Sequence, residues 1–400
     1  MPPFRRLAAS NLAAQASEQM ALAAAPLIAV LALGAGAAET GWLQAAQTLP
    51  FLLLALPAGV LADRVSRPRL MVGAEALRAV ALLAVPLLAW RGALDLPALA
   101  ALGFLGAAGT VAQGVAAPAL LPALVPRAEL AAANRWLELG RSGAFAAGPA
   151  LGGALIGWTG GGPAYALAFG LSLLSAALLL GMREPARDAA PRRHALRELQ
   201  EGVGFVLSHA LLRPILLTAV VFNTAWFVLQ AGYVVHAVTH LGLSAGGVGV
   251  TLGLYGLGMV AGALAAPWLA RRFPLGALIA AGPCVAAVAA LLMLGTVPLP
   301  SAGLAGLAFF LFGAGPVLWT INTTTLRQAV TPGAMLGRVS ATVMAVTFGA
   351  RPLGAAIGAL LAARHGTGAC LLVSAAGFLA QAGVILLSPA RRLRVLPRAA

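Results

Sequence analysis

The first apolar segment of the chain carries polar side chains that could move a proton or bind a ligand. Asn11, Gln15, Glu18 and Gln19 follow one another at i, i+4, i+7 and i+8, which places them on one face of a helix. Glu18 has no basic residue at helical spacing, and an isolated carboxylate among apolar residues is costly and usually functional. Glu18 is therefore the candidate proton carrier.

Two other roles for Glu18 stay open. The carboxylate could pair with Arg141 or Arg351 across a helical bundle, or it could bind a cationic ligand directly. His236, in a later apolar segment, is a weaker candidate for proton transfer, and a hydrogen-bonded structural His is the alternative reading.

Further amides and aromatic side chains interrupt other apolar segments. They are Gln44, Gln47, Gln113, Asn223, Trp226, Gln230, Tyr233, Trp319 and Asn322. Intramembrane polar groups point inward by default, so together they predict a cavity for an amphipathic organic molecule rather than a small ion. For each amide alone, an interhelical hydrogen bond is the alternative.

The acidic residues are few and unevenly placed. All 11 lie at or before Glu201. Glu75 has Arg78 one helical turn away, and Glu138 lies between Arg135 and Arg141 at the same spacing, so both carboxylates are predicted to be paired.

Composition defines the surroundings of these side chains. The 400 residues are 60% apolar and only 9% charged, with a mean hydropathy of +0.92, which predicts a membrane protein. The net charge of +15 comes from 26 Arg in short clusters, which indicates membrane topology and not nucleic-acid binding. Cys284 and Cys370 lie in apolar runs, so neither a disulfide nor a metal site is predicted.

Apolar runs punctuated by Gly, Pro and Arg predict twelve membrane-spanning helices. They are placed at 7–33, 42–62, 70–90, 96–118, 137–159, 163–182, 214–236, 246–270, 275–297, 301–322, 339–362 and 367–388. With both termini in the cytoplasm, 21 Arg fall inside and two, Arg91 and Arg364, fall outside. This bias predicts a multi-pass protein of a bacterial cytoplasmic membrane.

The chain divides near its middle. Residues 183–213 form the longest connection, a linker whose second part is predicted to be an amphipathic helix between six-helix domains at 1–182 and 214–400. An offset of 203 residues aligns Gly59 with Gly262 and Pro149 with Pro352. Two parallel repeats with a central site are therefore predicted.

Two short stretches carry a resemblance to a known family. "GVLADRVSRPRL" between the second and third spans is similar to the signature loop of the major facilitator superfamily, and "GPALGG" in the fifth span is similar to a motif of its antiporter branch. Longer stretches such as "TPGAMLGRVSATVMAVTFGARPLGA" resemble the branch of macrolide-efflux proteins and enterobactin exporters. The family's Arg near the start of the fourth span is absent, and Thr110 stands there.

The resemblance implies roles for both motifs. In the loop it implies a conformational latch in which Asp63 contacts the eleventh helix near Arg338. The latch residues are Gly59, Asp63, Arg64, Arg67, Arg69 and Arg338; the antiporter-type residues are Gly148, Pro149, Gly152 and Gly153.

These features predict a secondary transporter: a proton-coupled exporter of drugs, antibiotics or siderophores that works by alternating access. No cofactor is expected beyond the proton gradient, and the predicted partners are a small-molecule substrate, the proton and the lipid bilayer. A proton-independent facilitator or an uptake carrier of the same fold is the alternative. An enzyme is disfavoured because no catalytic cluster is present, and the oligomeric state stays open.

Overall fold

A computed structural model describes residues 3–126, 129–184, 195–332 and 335–397. These residues form an all-helical bundle in which no strand occurs. The helices are α1 (Pro3–Leu31), α2 (Ala37–Leu53), α3 (Ala55–Arg64), α4 (Arg67–Trp90), α5 (Leu96–Leu124), α6 (Leu130–Thr159), α7 (Gly161–Leu179), α8 (Ala195–Ser208), α9 (Leu212–Thr239), α10 (Ala245–Arg272), α11 (Leu275–Gly295), α12 (Ala302–Val330) and α13 (Leu336–Leu387).

The helices account for all twelve predicted spans. Within the described ranges, nine helices are long and apolar enough to cross a membrane, and the last of them, Thr342–Leu387, contains both the eleventh and the twelfth spans. The fifth span is α6. Several helices extend beyond the predicted bounds, because helical hydrogen bonding continues past the apolar core of a bilayer. One example is α12, which continues to Val330.

The helix of the second span is interrupted near its middle. Prediction placed a continuous helix at 42–62, but α2 ends at Leu53 and α3 begins at Ala55. Pro57 has no backbone N–H to donate to the carbonyl of Leu53, so the regular helical ladder cannot cross this point.

The last two spans of each half join in the same way. Gly160 connects α6 to α7 with a φ of 81°, and Gly366 divides α13 into 336–365 and 367–387 with a φ of 76°. Both angles lie in the left-handed region that a residue without a Cβ adopts at little cost. The recurrence of this joint in both halves agrees with the predicted parallel repeat.

The start of α1 and the end of α13 lie at one end of the bundle, here called the terminal end, and the opposite end is called the distal end. Gly276 at the start of α11 donates its backbone N–H to the carbonyl of Leu393 at 2.7 Å, so the segment that follows α13 packs at this end.

His209 caps the start of α9. The backbone N–H groups of Leu211 and Leu212 donate to Nδ1 of His209. Partial burial lowers the pKa of His209 and so favours the neutral ring that accepts these bonds.

The halves meet mainly along two pairs of helices, α2 with α13 and α6 with α10, and α2 also contacts α9. Small residues make these contacts close: a Cβ built on Gly41 would lie 2.6 Å from Cα of Ala359, and one on Gly153 would lie 2.6 Å from the carbonyl oxygen of Ala245. Both contacts lie towards the distal end. In contrast, α3 packs on α2, α4 and α5 of its own half.

Candidate functional site

A central cavity of about 300 Å³ lies between the two halves. Side chains from both halves line it, which is the position predicted for a site between parallel repeats. Its volume is at the lower end of the range for sites that enclose small organic molecules.

Seven of the predicted cavity residues line this space. They are Glu18, Gln19, Gln44, Gln47, Asn223, Trp226 and Gln230. The first four come from α1 and α2, and the last three come from α9. In α1 and α2, helical spacing had predicted a polar face, and part of each face lines the cavity.

Six predicted residues lie elsewhere. They are Asn11, Gln15, Gln113, Tyr233, Trp319 and Asn322. Tyr233 is fully buried and its hydroxyl bonds to Thr251, whereas the amide of Asn322 donates to the carbonyl of Leu318 in its own helix. Trp319 borders a much smaller pocket beside Gln381 within the second half. Local hydrogen bonds thus engage Tyr233 and Asn322, which composition alone could not separate from ligand contacts.

Glu18 reaches the cavity without a direct partner. Among the described residues it makes no hydrogen bond and no ion pair within 4.0 Å. Charged groups from three other helices act on it electrostatically: Arg78 and Glu75 of α4, Arg141 of α6 and Arg351 of α13. Helical spacing along α1 shows no basic residue near Glu18, but it misses these charges because they come from helices distant in sequence.

Glu75 and Arg78 form the buried pair that their spacing predicted. Nη1 of Arg78 lies 3.0 Å from Oε1 of Glu75, and both side chains are almost fully buried. Ser172 donates to Oε2 of Glu75 at 2.8 Å. Nη2 of Arg78 donates to Oγ1 of Thr110 at 2.9 Å, so a guanidinium from the third span reaches the position where the family's fourth-span Arg is missing.

Arg351 is a cavity residue that was not among the predicted ligand contacts. Its Nε donates to Oδ1 of Asn223 at 3.2 Å. Its guanidinium carbon lies 3.9 Å from the ring centroid of Phe348, 5.3 Å from that of Phe51 and 5.6 Å from that of Phe227. Cation–π contacts therefore stabilise this charge where the two halves meet. Its presence inside a span was the available sequence signal.

An aromatic cluster forms much of the wall contributed by the second half. Trp226 lies 5.0 Å from Tyr255 and 6.0 Å from Phe309 between ring centroids, and it stacks on Phe222. All four side chains line the cavity. They form a largely apolar aromatic surface, suited to the body of an amphipathic molecule.

The antiporter-type motif forms close helix contacts. A Cβ on Gly148 would lie 2.6 Å from Cβ of Gln19, and Gly152 faces the backbone of Met20. Gly153 faces α10, and Pro149 lines the cavity. The glycines of the motif thus let one face of α6 pack closely on α1 and another face pack closely on α10 of the other half.

The predicted latch is only partly within the described structure. The side chains of Asp63 and Arg338 lie outside it, so their contact stays a prediction. Arg67 forms an ion pair with Glu184 at 3.2 Å and donates to the carbonyl of Ala119 at 2.7 Å. Arg64 and Arg69 are exposed, and a Cβ on Gly59 would meet nothing within 4 Å.

Neither His236 nor a metal ligand set adds to the cavity. Nε2 of His236 bonds to Oγ1 of Thr296 at 2.8 Å, and the residue is buried away from the cavity lining. In the part of the chain that the structure describes, no three His, Cys, Asp or Glu residues form a group that could hold a metal ion.

Comparison with known proteins agrees with this architecture. The sequence model of the Major Facilitator Superfamily matches residues 7–359. The multidrug efflux pump Tap of Mycobacterium tuberculosis is 34% identical over 224 residues, covering 54% of this chain and 53% of its own. The enterobactin exporter EntS of Citrobacter koseri is 30% identical over 303 residues, covering 75% of this chain and 71% of its own.

A solved structure shows the same fold. The crystal structure of a D-xylose-proton symporter superposes with a TM-score of 0.73, covering 97% of this chain and 98% of that one at 14% identity. This likeness concerns the fold alone. With the family match and the apolar helices, it shows that the chain is a multi-pass membrane transporter, not an enzyme, and that it belongs to the major facilitator superfamily.

Proposed function

We propose that this transporter exports amphipathic small organic molecules in exchange for protons, by alternating access of the central cavity. The observation that carries the proposal is the cavity itself, where Glu18 faces an aromatic wall supplied by the other half. The names of the relatives Tap and EntS, a multidrug efflux pump and a siderophore exporter, support the outward direction and the drug, antibiotic or siderophore class.

Orientation follows from the charges of the loops. By the topology predicted from the sequence, 21 of the 26 Arg residues belong to segments on the side of the termini and two belong to loops on the other side. Positively charged loops remain in the cytoplasm. We therefore place both termini on the cytoplasmic side of a bacterial cytoplasmic membrane. The close contacts of Gly41 and Gly153 then seal the outer side of the cavity.

Alternating access would separate these contacts and close the inner side. Small residues at these contacts have short side chains that do not interdigitate. We therefore expect α6 and α10 to separate as rigid helices. We assign the predicted latch at Asp63 and Arg338 to the opposite state, in which the cytoplasmic side is shut. Domain limits of 1–182 and 214–400, joined by the linker, describe the two rocking bodies in this proposal.

Glu18 is the proposed coupling group. Its carboxylate lines the cavity but has no direct partner among the described residues, so a proton and a substrate could both reach it. A proton that enters down a potential of 100 mV supplies about 2.3 kcal/mol, which corresponds to roughly a fiftyfold gradient of one neutral substrate.

Transport by purified protein in liposomes tests the proposal. A panel of dyes, macrolides and catecholate siderophores is offered with and without an imposed pH gradient. We expect gradient-driven accumulation by the parent protein and its loss in Glu18→Gln, with substrate binding weakened but still measurable. Glu39→Gln is the matched control because Glu39 is exposed and remote from the cavity.

The second candidate is a proton-independent facilitator or an uptake carrier. Arg78, Arg141 and Arg351 act electrostatically on Glu18 and favour this candidate, because nearby positive charge favours the ionised form of a carboxylate. In that case transport would proceed equally without a pH gradient and in Glu18→Gln.

A further inference from the structure

The two halves contribute charge to the cavity unequally. No Asp or Glu follows Glu201 anywhere in the sequence, so the second half contains no carboxylate that could neutralise Arg351. The guanidinium nevertheless lines the central cavity. A buried charge without an ionic partner is costly to maintain, and such groups mark substrate pathways in membrane proteins.

Neighbouring side chains hold Arg351 in place and leave its terminal nitrogens available to bind a ligand. Its Nε is engaged by Asn223, whose own amide donates to the carbonyl of Ala219 at 3.0 Å. Phe348 and Phe51 cover faces of the guanidinium. Neither terminal nitrogen of Arg351 has a hydrogen-bond partner or an ion pair within 4.0 Å in the described parts of the chain. A guanidinium in this state presents the paired donors that bind a carboxylate.

Glu18 presents the opposite charge from the other half. Arg351 and Glu18 line the same cavity and act on each other electrostatically, yet no ion pair joins them. A molecule located between them would therefore meet a cation on one side and a carboxylate on the other. The aromatic surface of Trp226, Phe222 and Tyr255 borders the same space.

From this arrangement we propose that the preferred substrates are amphipathic zwitterions. The acidic group of the substrate binds Arg351, its basic amine binds Glu18, and its aromatic body packs on Trp226. This inference rests on the proposed function, since it requires that the cavity carry the transported molecule. It adds the charge class of the substrate and assigns a specificity-determining role to Arg351.

A zwitterion satisfies constraints that a singly charged molecule does not. An organic cation would approach Glu18 among three Arg side chains, and an organic anion would approach Arg351 against the charge of Glu18. A zwitterion places each charge beside its opposite. Its amine also displaces the proton from Glu18, which gives the competition that exchange requires, and its two ends connect the halves that must move together.

Three forms of one fluorescent molecule test the inference. Ciprofloxacin is a zwitterion at neutral pH, its ethyl ester keeps only the amine charge, and its N-acetyl derivative keeps only the carboxylate. Uptake into inverted proteoliposomes is measured for the parent protein and for Arg351→Gln, with Arg364→Gln as the matched control because Arg364 is exposed in the same helix.

We expect the parent and Arg364→Gln to transport the zwitterion at least tenfold faster than either derivative. In Arg351→Gln the zwitterion should fall to the rate of the ester. The rate of the ester should stay the same or rise, because one cation near Glu18 is removed, and its transport shows that the variant is folded. Arg351→Lys, which keeps the charge but loses the paired donors, should be intermediate.

Other results would overturn the inference. Equal transport of zwitterion and ester by the parent would remove the charge preference, and an equal loss of both in Arg351→Gln would make Arg351 a structural residue. If the parent carries other members of the dye and macrolide panel but none of the three forms, the zwitterion class is wrong while export stands. If it carries no compound at all, the proposed function fails as well.

Discussion

The two halves share one helical plan but line the cavity with different chemistry. Amide and ionisable side chains from the first half face it, namely Glu18, Gln19, Gln44, Gln47 and Arg78. Aromatic side chains dominate the second half, namely Phe222, Trp226, Phe227, Tyr255 and Phe309. The two halves therefore share a helical plan, while the first supplies most of the charged groups of the cavity and the second is richer in aromatic rings.

The halves also stabilise their buried cations in different ways. Arg78 in the first half is paired with a carboxylate at 3.0 Å, whereas Arg351 in the second half rests on aromatic rings and an amide. An ion pair neutralises a guanidinium, but ring faces leave it able to bind an anion. The two Arg residues are therefore expected to respond differently to substitution.

The largest effect is expected from breaking the ion pair of the first half. Glu75→Gln leaves Arg78 buried without its carboxylate and should cost roughly 3–5 kcal/mol of stability. The midpoint of thermal unfolding in detergent measures this loss. Glu39→Gln, at an exposed position, should leave the midpoint unchanged. An equally stable Glu75→Gln variant would mean that the pair contributes little to folding.

A smaller effect is expected where the halves touch. In Gly153→Ala the new methyl group would overlap the α10 backbone at Ala245 and Gly249, at a cost of about 1–3 kcal/mol in the state closed at the distal end. Distances between spin labels at the distal ends of α6 and α10 should lengthen. Gly143→Ala, in the same helix with open space around it, is the control. Unchanged distances in Gly153→Ala would argue against separation of this contact.

A change in the aromatic wall should weaken substrate binding without altering proton coupling. Trp226→Ala removes the ring that contacts Tyr255 and Phe309, and we expect affinity to fall about tenfold. Titration of ciprofloxacin fluorescence measures the affinity, and Trp90→Ala at an exposed position serves as the control. If Trp226→Ala binds normally but loses its response to a pH gradient, the division of labour between the walls is wrong.

The smallest effect is expected from one hydrogen bond between the halves. Oγ1 of Thr40 donates to the carbonyl of Ala231 at 2.9 Å and is shared with carbonyls of its own helix. Thr40→Val should therefore destabilise the closed distal end by only about 0.5–1 kcal/mol, seen as a slight increase in the open population by spin labelling. Thr239→Val, whose hydroxyl bonds only within its helix, should show no change.

Much of the fold could be predicted from the sequence because a bilayer imposes simple rules. Apolar runs long enough to cross it, Arg clusters between them and a constant offset of 203 residues predicted the twelve spans and their repeat. The break near Leu54 was missed, although Pro57 was visible, because proline is common in unbroken membrane helices. Whether a proline interrupts a helix depends on the packing of neighbouring helices.

The candidate site was less predictable. Helical periodicity identified the cavity face of α1 and α2, but it could not show the depth at which Asn11 or Asn322 lies. Arg351 was recognisable as a charge within a span, whereas its contacts with Phe51 and Asn223 join residues far apart in the chain. Such contacts arise from tertiary packing, for which a single sequence has no periodic signal.

Proton-coupled export requires that substrate and proton compete for Glu18. Its most direct test is to add ciprofloxacin to the solubilised protein in weak buffer and follow the pH with an indicator dye. We predict proton release from the parent and none from Glu18→Gln, while tryptophan fluorescence shows that both proteins bind ciprofloxacin, the variant with lower affinity. Equal proton release from both proteins, or binding by the parent without any release, would contradict the account.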